Sequence, residues 1–167
     1  MTFRFDRVIL LSLVLLGEGC ESPTEGDRQI ALPQKVSVSG YFSFNLPEDM
    51  KGSYGYGVDS YGAWYESKGA RLWMDFGVMT TSLGSFRSDH KNTYSDTISH
   101  RSCEIAVGSG REASYPDSTR PYFAEICFPR VSDVQTGWTL IMGFNASSEA
   151  GLDTAMAVFQ SIIFTMP

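Results

Sequence analysis

From residue 36 onward, apolar residues recur at every second position in short runs, broken by Gly, Pro and Ser. This is the period of half-buried strands. "KVSVSGYFSFNLP" alternates at Val36 and Val38, then at Phe42, Phe44 and Leu46. The interruption around Ser39 and Gly40 predicts a bulge or bend between two strand segments. Pro47 closes the run, because a proline has no N–H to donate to a ladder. "GAWYESKGARLWMDFGVM" predicts a hairpin turning over residues 67–70. Its second strand places Leu72, Met74, Phe76 and Val78 on one face and Arg71, Trp73 and Asp75 on the other. One side is therefore core and the other wet or covered.

Residues 80–100 show no sustained apolar period and read as a long polar connection with room for a short helical turn. "SCEIAVG" and "PYFAEICFP" form the next strand pair, joined by a Gly/Ser/Pro-rich loop, and "GWTLIMGFNA" is a further strand. The period then changes. Leu152, Ala155, Met156, Phe159, Ile162 and Ile163 recur at three- and four-residue spacing, which predicts an amphipathic helix. Ser147 or Ser148 is placed to cap it, with Glu149 in its first turn. Ile162 and Ile163 fit a short closing strand equally well. The expected fold class is α+β: an antiparallel twisted sheet flanked by helix, ending in a C-terminal amphipathic helix.

Two stretches carry a family resemblance. "YFSFNLPEDM" resembles the opening strand of PsbP-like domains, the fold of the photosystem II extrinsic protein, although Met50 stands near the place of the family's Trp. "AMAVFQSIIF" resembles that family's last helix and closing strand. The resemblance covers residues 36–167. It implies a helix-flanked antiparallel sheet and a role in binding or assembly rather than catalysis. "GVDSYGAWYESKGARLWMDFG" also resembles bacterial envelope proteins.

The N-terminus bears on location. Residues 1–7 hold Arg4 and Arg7, and residues 8–16 have only Ser12 as a polar member. Nine helical residues span about 14 Å, well short of the ~30 Å hydrocarbon core. That length suits a signal peptide over residues 1–19. Gly17 and Gly19 satisfy an ordinary signal peptidase, while "LGEGC" resembles a bacterial lipobox with Leu16 one place too early. Cysteine parity separates the two readings. The chain has Cys20, Cys103 and Cys127, and an unpaired thiol is a liability in an oxidising compartment. Acylating Cys20 leaves Cys103 and Cys127 as an even pair, expected to form a disulfide across the hairpin. "ESPTEGDRQIALPQK" then reads as a flexible tether, so residues 20–35 link a membrane anchor to one domain at 36–167. The expected location is the bacterial cell envelope, at the outer membrane or the periplasmic face.

Composition narrows the partners. The 167 residues carry a formal charge of −6. Removing residues 1–19 takes two arginines and two acidic residues, so the charge persists. No Lys/Arg cluster tracks phosphates, which argues against nucleic acid. An acidic surface is also repelled by anionic headgroups, so attachment to a membrane falls to the lipid anchor. No Gly-x-Ser-x-Gly elbow, phosphate loop or dinucleotide fingerprint occurs. No catalytic residue, resident metal or cofactor is therefore assigned. The histidines, His90 and His100, share a polar loop with Asp89 and Asp96. Imidazole and carboxylate are zinc-type ligands, so a small envelope enzyme using loop 89–100 is the alternative function. An ordinary solvated loop accounts for the same residues.

The most distinctive stretch is "GSYGYGVDSYGAWY", residues 52–65, which sets Tyr54, Tyr56, Tyr61 and Trp64 among glycines. Glycines let a partner approach the backbone, and these aromatics offer broad surfaces with a polar tip. The expected function is a non-enzymatic binding or assembly factor whose face holds an envelope protein or a glycan. The competing reading places the same rings in the core and over a sheet edge.

Overall fold

A computed structural model describes residues 30–38, 40–56, 60–78, 92–131 and 137–165. The residues expected as signal peptide, Cys20, most of the expected tether, Asp89 and His90 lie outside the described residues. The strands are β1 (Gln34–Val38), β2 (Phe42–Leu46), β3 (Lys51–Tyr56), β4 (Ser60–Glu66), β5 (Ala70–Gly77), β6 (Asn92–Ile98), β7 (Arg101–Ser109), β8 (Tyr122–Phe128), β9 (Thr139–Ala146) and β10 (Ile163–Phe164). One α-helix, α1 (Gly151–Gln160), is present among them.

Two antiparallel sheets result. β1, β2 and β10 form a small one with β2 in the middle, and the large one runs β3-β4-β5-β9-β8-β7-β6. The large sheet is two meanders joined side to side. β3-β4-β5 is laid down first, the chain crosses to the far edge at β6, and the second meander returns until β9 pairs with β5. The expected helix-flanked α+β architecture is thereby corrected. The described chain is mostly β, and a single ten-residue helix shares the covering role with a three-stranded sheet. The break at Gly40 is also more than a bulge. β1 and β2 pair antiparallel, Val38 opposite Phe42, and Gly40 takes φ +78° in the turn between them. Glycine reaches that left-handed region without the Cβ penalty.

Cross-strand partners project to the same side of a sheet. On one face stand Leu72, Met74, Phe76, Ile105, Ala124, Ile126, Leu140, Met142 and Phe144, all buried. The small sheet and α1 close over them. Phe42 meets Phe76 edge-on at 5.2 Å between centroids, and Phe44 meets Tyr65 at 6.1 Å. From α1, Ala155, Val158 and Phe159 are buried. The helix starts after Ala150 with no side-chain cap, so neither Ser147 nor Ser148 caps it. It ends before Ile162, and Ile163 with Phe164 takes the closing-strand alternative by pairing with β2.

Residues 92–98, read as polar loop, are instead an edge strand. β6 pairs with β7 along its whole length, and all its residues except Ile98 are exposed. A strand exposed on both sides has no in-out alternation to reveal it. Ser99 (φ 50°) and His100 (φ 64°) make the tight turn into β7, the backbone that matches the twist of a two-residue hairpin.

Candidate binding surface on the β3–β4 hairpin

The four aromatic residues of the expected face divide between the two sides of the sheet. Tyr54 pairs with Ala63 and Tyr56 with Tyr61, so Tyr54, Tyr56 and Tyr61 all lie on the core-side face. Their rings touch: Tyr54 and Tyr61 stack at 6.0 Å, Tyr56 meets Tyr61 at 5.0 Å, and Tyr54 meets Tyr56 at 5.8 Å. Tyr61 is the buried root of this cluster at 8% exposure, while Tyr54 is 66% and Tyr56 76% exposed. Burial drives the Tyr61 phenol far above its usual range, with the neighbouring Tyr65 and Tyr56 adding to the shift. The gradient follows from the lid. Phe44 of β2 stands on Tyr65 of β4, and β3, one strand further out, is exposed at every position. The sheet is wider than its cover.

Trp64 faces the opposite way, because it alternates with Tyr61, Ala63 and Tyr65 along β4. It is 40% exposed. Tyr115 meets it edge-on at 5.4 Å and meets Trp73 at 4.6 Å. The Arg71 guanidinium lies 5.9 Å from the Trp64 ring centre, within cation–π reach. Arg71 donates through Nε to Glu66 and pairs through Nη1 with Asp117 at 3.4 Å. Lys51, Glu66 and Arg71 follow one another across β3, β4 and β5 as register partners. A groove of about 670 Å³ opens beside them, lined by Lys51, Gly52, Ser53, Trp64, Glu66 and Arg71.

Loop 113–121 is fixed over this side by polar contacts. Ser114 donates its N–H and its hydroxyl to the buried Glu125 carboxylate. Asn145 donates through Nδ2 to the Tyr115 carbonyl at 3.4 Å. Asp117 accepts from the Thr119 hydroxyl at 2.7 Å and from Arg120 Nη1 at 2.8 Å. The Thr119 hydroxyl, then Arg120, holds the Asp117 carboxyl well below the usual carboxylate range against the opposing effect of burial. Arg120 also donates to the Ser67 carbonyl at 3.0 Å, tying the loop to the β4–β5 turn.

The expected Cys103–Cys127 disulfide is corrected by one residue of register. Cys127 pairs with Glu104, not Cys103, and Ile105 pairs with Ile126. A one-residue shift turns a side chain to the other face. Cys103 therefore joins the main core while Cys127 packs with Trp73 and Ile141 on the far side. The two sulfurs point away from each other through the sheet, and no disulfide joins them. Burial, with Asp96 adding to it, lifts the Cys103 thiol to about 11. With those two cysteines apart, parity no longer argues for acylating Cys20. What remains in its favour is the sequence pattern of residues 1–35, which is expected to form a leader and a tether.

Of the polar-loop set, His100 is exposed in the β6–β7 turn, and Asp96 accepts from the Thr97 N–H on β6. Among the described residues no group of three His, Cys, Asp or Glu side chains is arranged to hold a metal. No helix of the described residues is long and apolar enough to cross a membrane. No family model matches the chain, and neither a curated protein nor a solved structure matches it.

Sequence reasoning placed Trp64 with the tyrosines and passed over Arg71, Glu66, Tyr115 and Asp117. The separation of Trp64 was readable, since positions 61 and 64 of one strand have opposite parity. The approach of loop 113–121 had no sequence signal.

Proposed function

We propose that this chain is an exported, lipid-anchored binding module of the bacterial cell envelope, and that the β3–β4 hairpin is its contact surface. One observation carries the reading: Tyr54 and Tyr56 are both well over half exposed and touch each other, on a strand exposed along its entire length. Single exposed rings are ordinary, whereas contiguous ones mark contact sites. β3 is also a sheet edge. Its six residues contain no proline, and Lys51 at its start is its one charged side chain. Native edges normally carry such features along their length to prevent pairing. An extended segment of an envelope protein adds to such an edge through its backbone, with the tyrosines gripping its side chains.

The experiment compares wild type with Tyr54→Ala/Tyr56→Ala for retention on isolated envelope fractions. The double variant keeps its melting temperature and loses retention. A large fall in melting temperature, or undiminished retention, contradicts the reading. Cys20→Ser releases the full-length chain from membranes without altering the hairpin; a chain that stays bound after that change refutes the anchor.

A further inference from the structure

We infer that the extended segment which adds to β3 alternates apolar with acidic side chains, the apolar ones against Tyr54 and Tyr56 and an acidic one against Lys51. This rests on the reading of the hairpin as a contact surface and specifies the chemistry of its partner.

The two sides of β3 differ. Gly52, Tyr54 and Tyr56 project to the core side, and Lys51, Ser53 and Gly55 to the Trp64 side. A strand added to this edge alternates in the same way, and its side chains stand about 5 Å from those of β3 on each face. On the core side they meet Tyr54 and Tyr56, two mostly exposed rings in contact with each other. β-branched apolar residues pair favourably with aromatics across strands. On the other side they enter the groove beside Trp64, whose β3 wall is Lys51, Gly52 and Ser53.

The charges on that side are unbalanced. The groove is lined by two cations, Lys51 and Arg71, and by one carboxylate, Glu66. Arg71 donates to Glu66 through Nε and reaches Asp117, outside the groove, through Nη1. Asp117 is shared with Arg120. Lys51, Arg71 and Arg120 thus stand against Glu66 and Asp117, and the cation left over is Lys51. It is the register partner of Glu66 but makes no ion pair among the described residues. Asp49, two positions earlier, lines a different recess with Ala70 and Ala146. Ser53 and Gly55 bring no charge, so Lys51 is the one charge that β3 presents to an added strand. An opposite charge across from it is favourable and a like charge is not. The chain's overall charge of −6 is screened beyond about 8 Å at physiological salt, so the charge at the contact decides.

The test is fluorescence anisotropy of labelled octapeptides titrated with the full-length chain. One peptide alternates valine with glutamate, so that any register sets a glutamate beside Lys51. A second alternates valine with lysine, and a third has the composition of the first with its valines and glutamates in two blocks. Saturable binding of the valine–glutamate peptide is expected, with both others weaker by about fivefold or more. Lys51→Ala brings the two alternating peptides to nearly equal affinity, and Lys51→Glu reverses their order. Tyr54→Ala/Tyr56→Ala weakens both alternating peptides together. Equal binding of the two by the wild-type chain overturns the acidic assignment while leaving the hairpin as a contact surface. Undiminished envelope retention of the tyrosine variant is the separate failure of that surface. Binding of neither alternating peptide, equal binding of the block peptide, or tighter binding of every peptide by Lys51→Ala also overturns the inference. The last result would make Lys51 a guard that keeps strands off the edge.

Discussion

The two faces of the seven-stranded sheet are built from the same strands but by different means. On the core face, side chains from β5, β9, β8 and β7 are aliphatic or aromatic and are covered by α1 and the small sheet. On the other face, the covering piece is a loop without regular strand or helix, fastened by Glu125, Asn145 and the Asp117–Arg120 pair. Apolar burial is non-directional and tolerates shape variation. A polar latch depends on each partner, because a buried group left unpaired costs its full desolvation. The core face therefore sets global stability, and the polar face sets where the Trp64–Tyr115 surface sits.

Even the glycines follow this division. Gly143 of β9 stands opposite Trp73 of β5, and a Cβ there would run into the indole. Trp73 thus lies flat over the β9 backbone, which brings it within reach of Tyr115. On the core side, Gly52 lies beneath the Tyr65 ring in the same manner.

The largest effect separating the faces is expected for Phe144→Ala. Phe144 is fully buried on a central strand, and truncating such a ring costs roughly 3–5 kcal/mol. Chemical denaturation should show a global loss with a single transition. Next comes Glu125→Ala, which removes the acceptor of both Ser114 hydrogen bonds. The expected cost is about 1–3 kcal/mol, with amide exchange accelerating mainly in residues 113–121. If Glu125→Ala instead loosens β5 and β9 as much as Phe144→Ala does, the two faces are one core.

The smallest effect is acid loosening of the latch. The Asp117 pKa is lowered in the folded chain, so its contribution is complete above the ordinary value of 3.8 and is lost as pH falls through the folded value. Near-ultraviolet circular dichroism of the Trp73–Tyr115 pair should hold steady above pH 3.8 and weaken progressively below it, toward the lowered folded value. Asp117→Asn should flatten that part of the profile. A profile identical in wild type and variant removes Asp117 from the latch.

Legibility in the sequence followed the same division. Alternation located the β4–β5 hairpin, β7, β8 and β9, because each has one face in the main core. Helical spacing located α1. β6 escaped, since Asn92, Thr93, Tyr94, Ser95, Asp96 and Thr97 are all exposed and show no contrast between faces. The placement of Cys103 and Cys127 failed for a subtler reason. Both strands were found, but register depends on the loop between them, with its 3-10 turn at Gly110–Glu112. One residue of slip separates a disulfide pair from two cysteines on opposite faces. The Tyr54–Tyr56 pair was legible as a dense aromatic stretch. Its exposure was not, because that depends on how far the small sheet reaches across the large one.

Hydroxyl-radical footprinting of the tyrosines tests the hairpin most directly. The intact chain is oxidised alone and again on isolated envelope fractions, and modification is quantified residue by residue. Tyr54 and Tyr56 are expected to react readily in the free chain and to be protected on the envelope, while Tyr61, buried in both states, stays slow throughout. Equal reactivity of Tyr54 and Tyr56 with and without the envelope would contradict the assignment of β3–β4 as the binding surface.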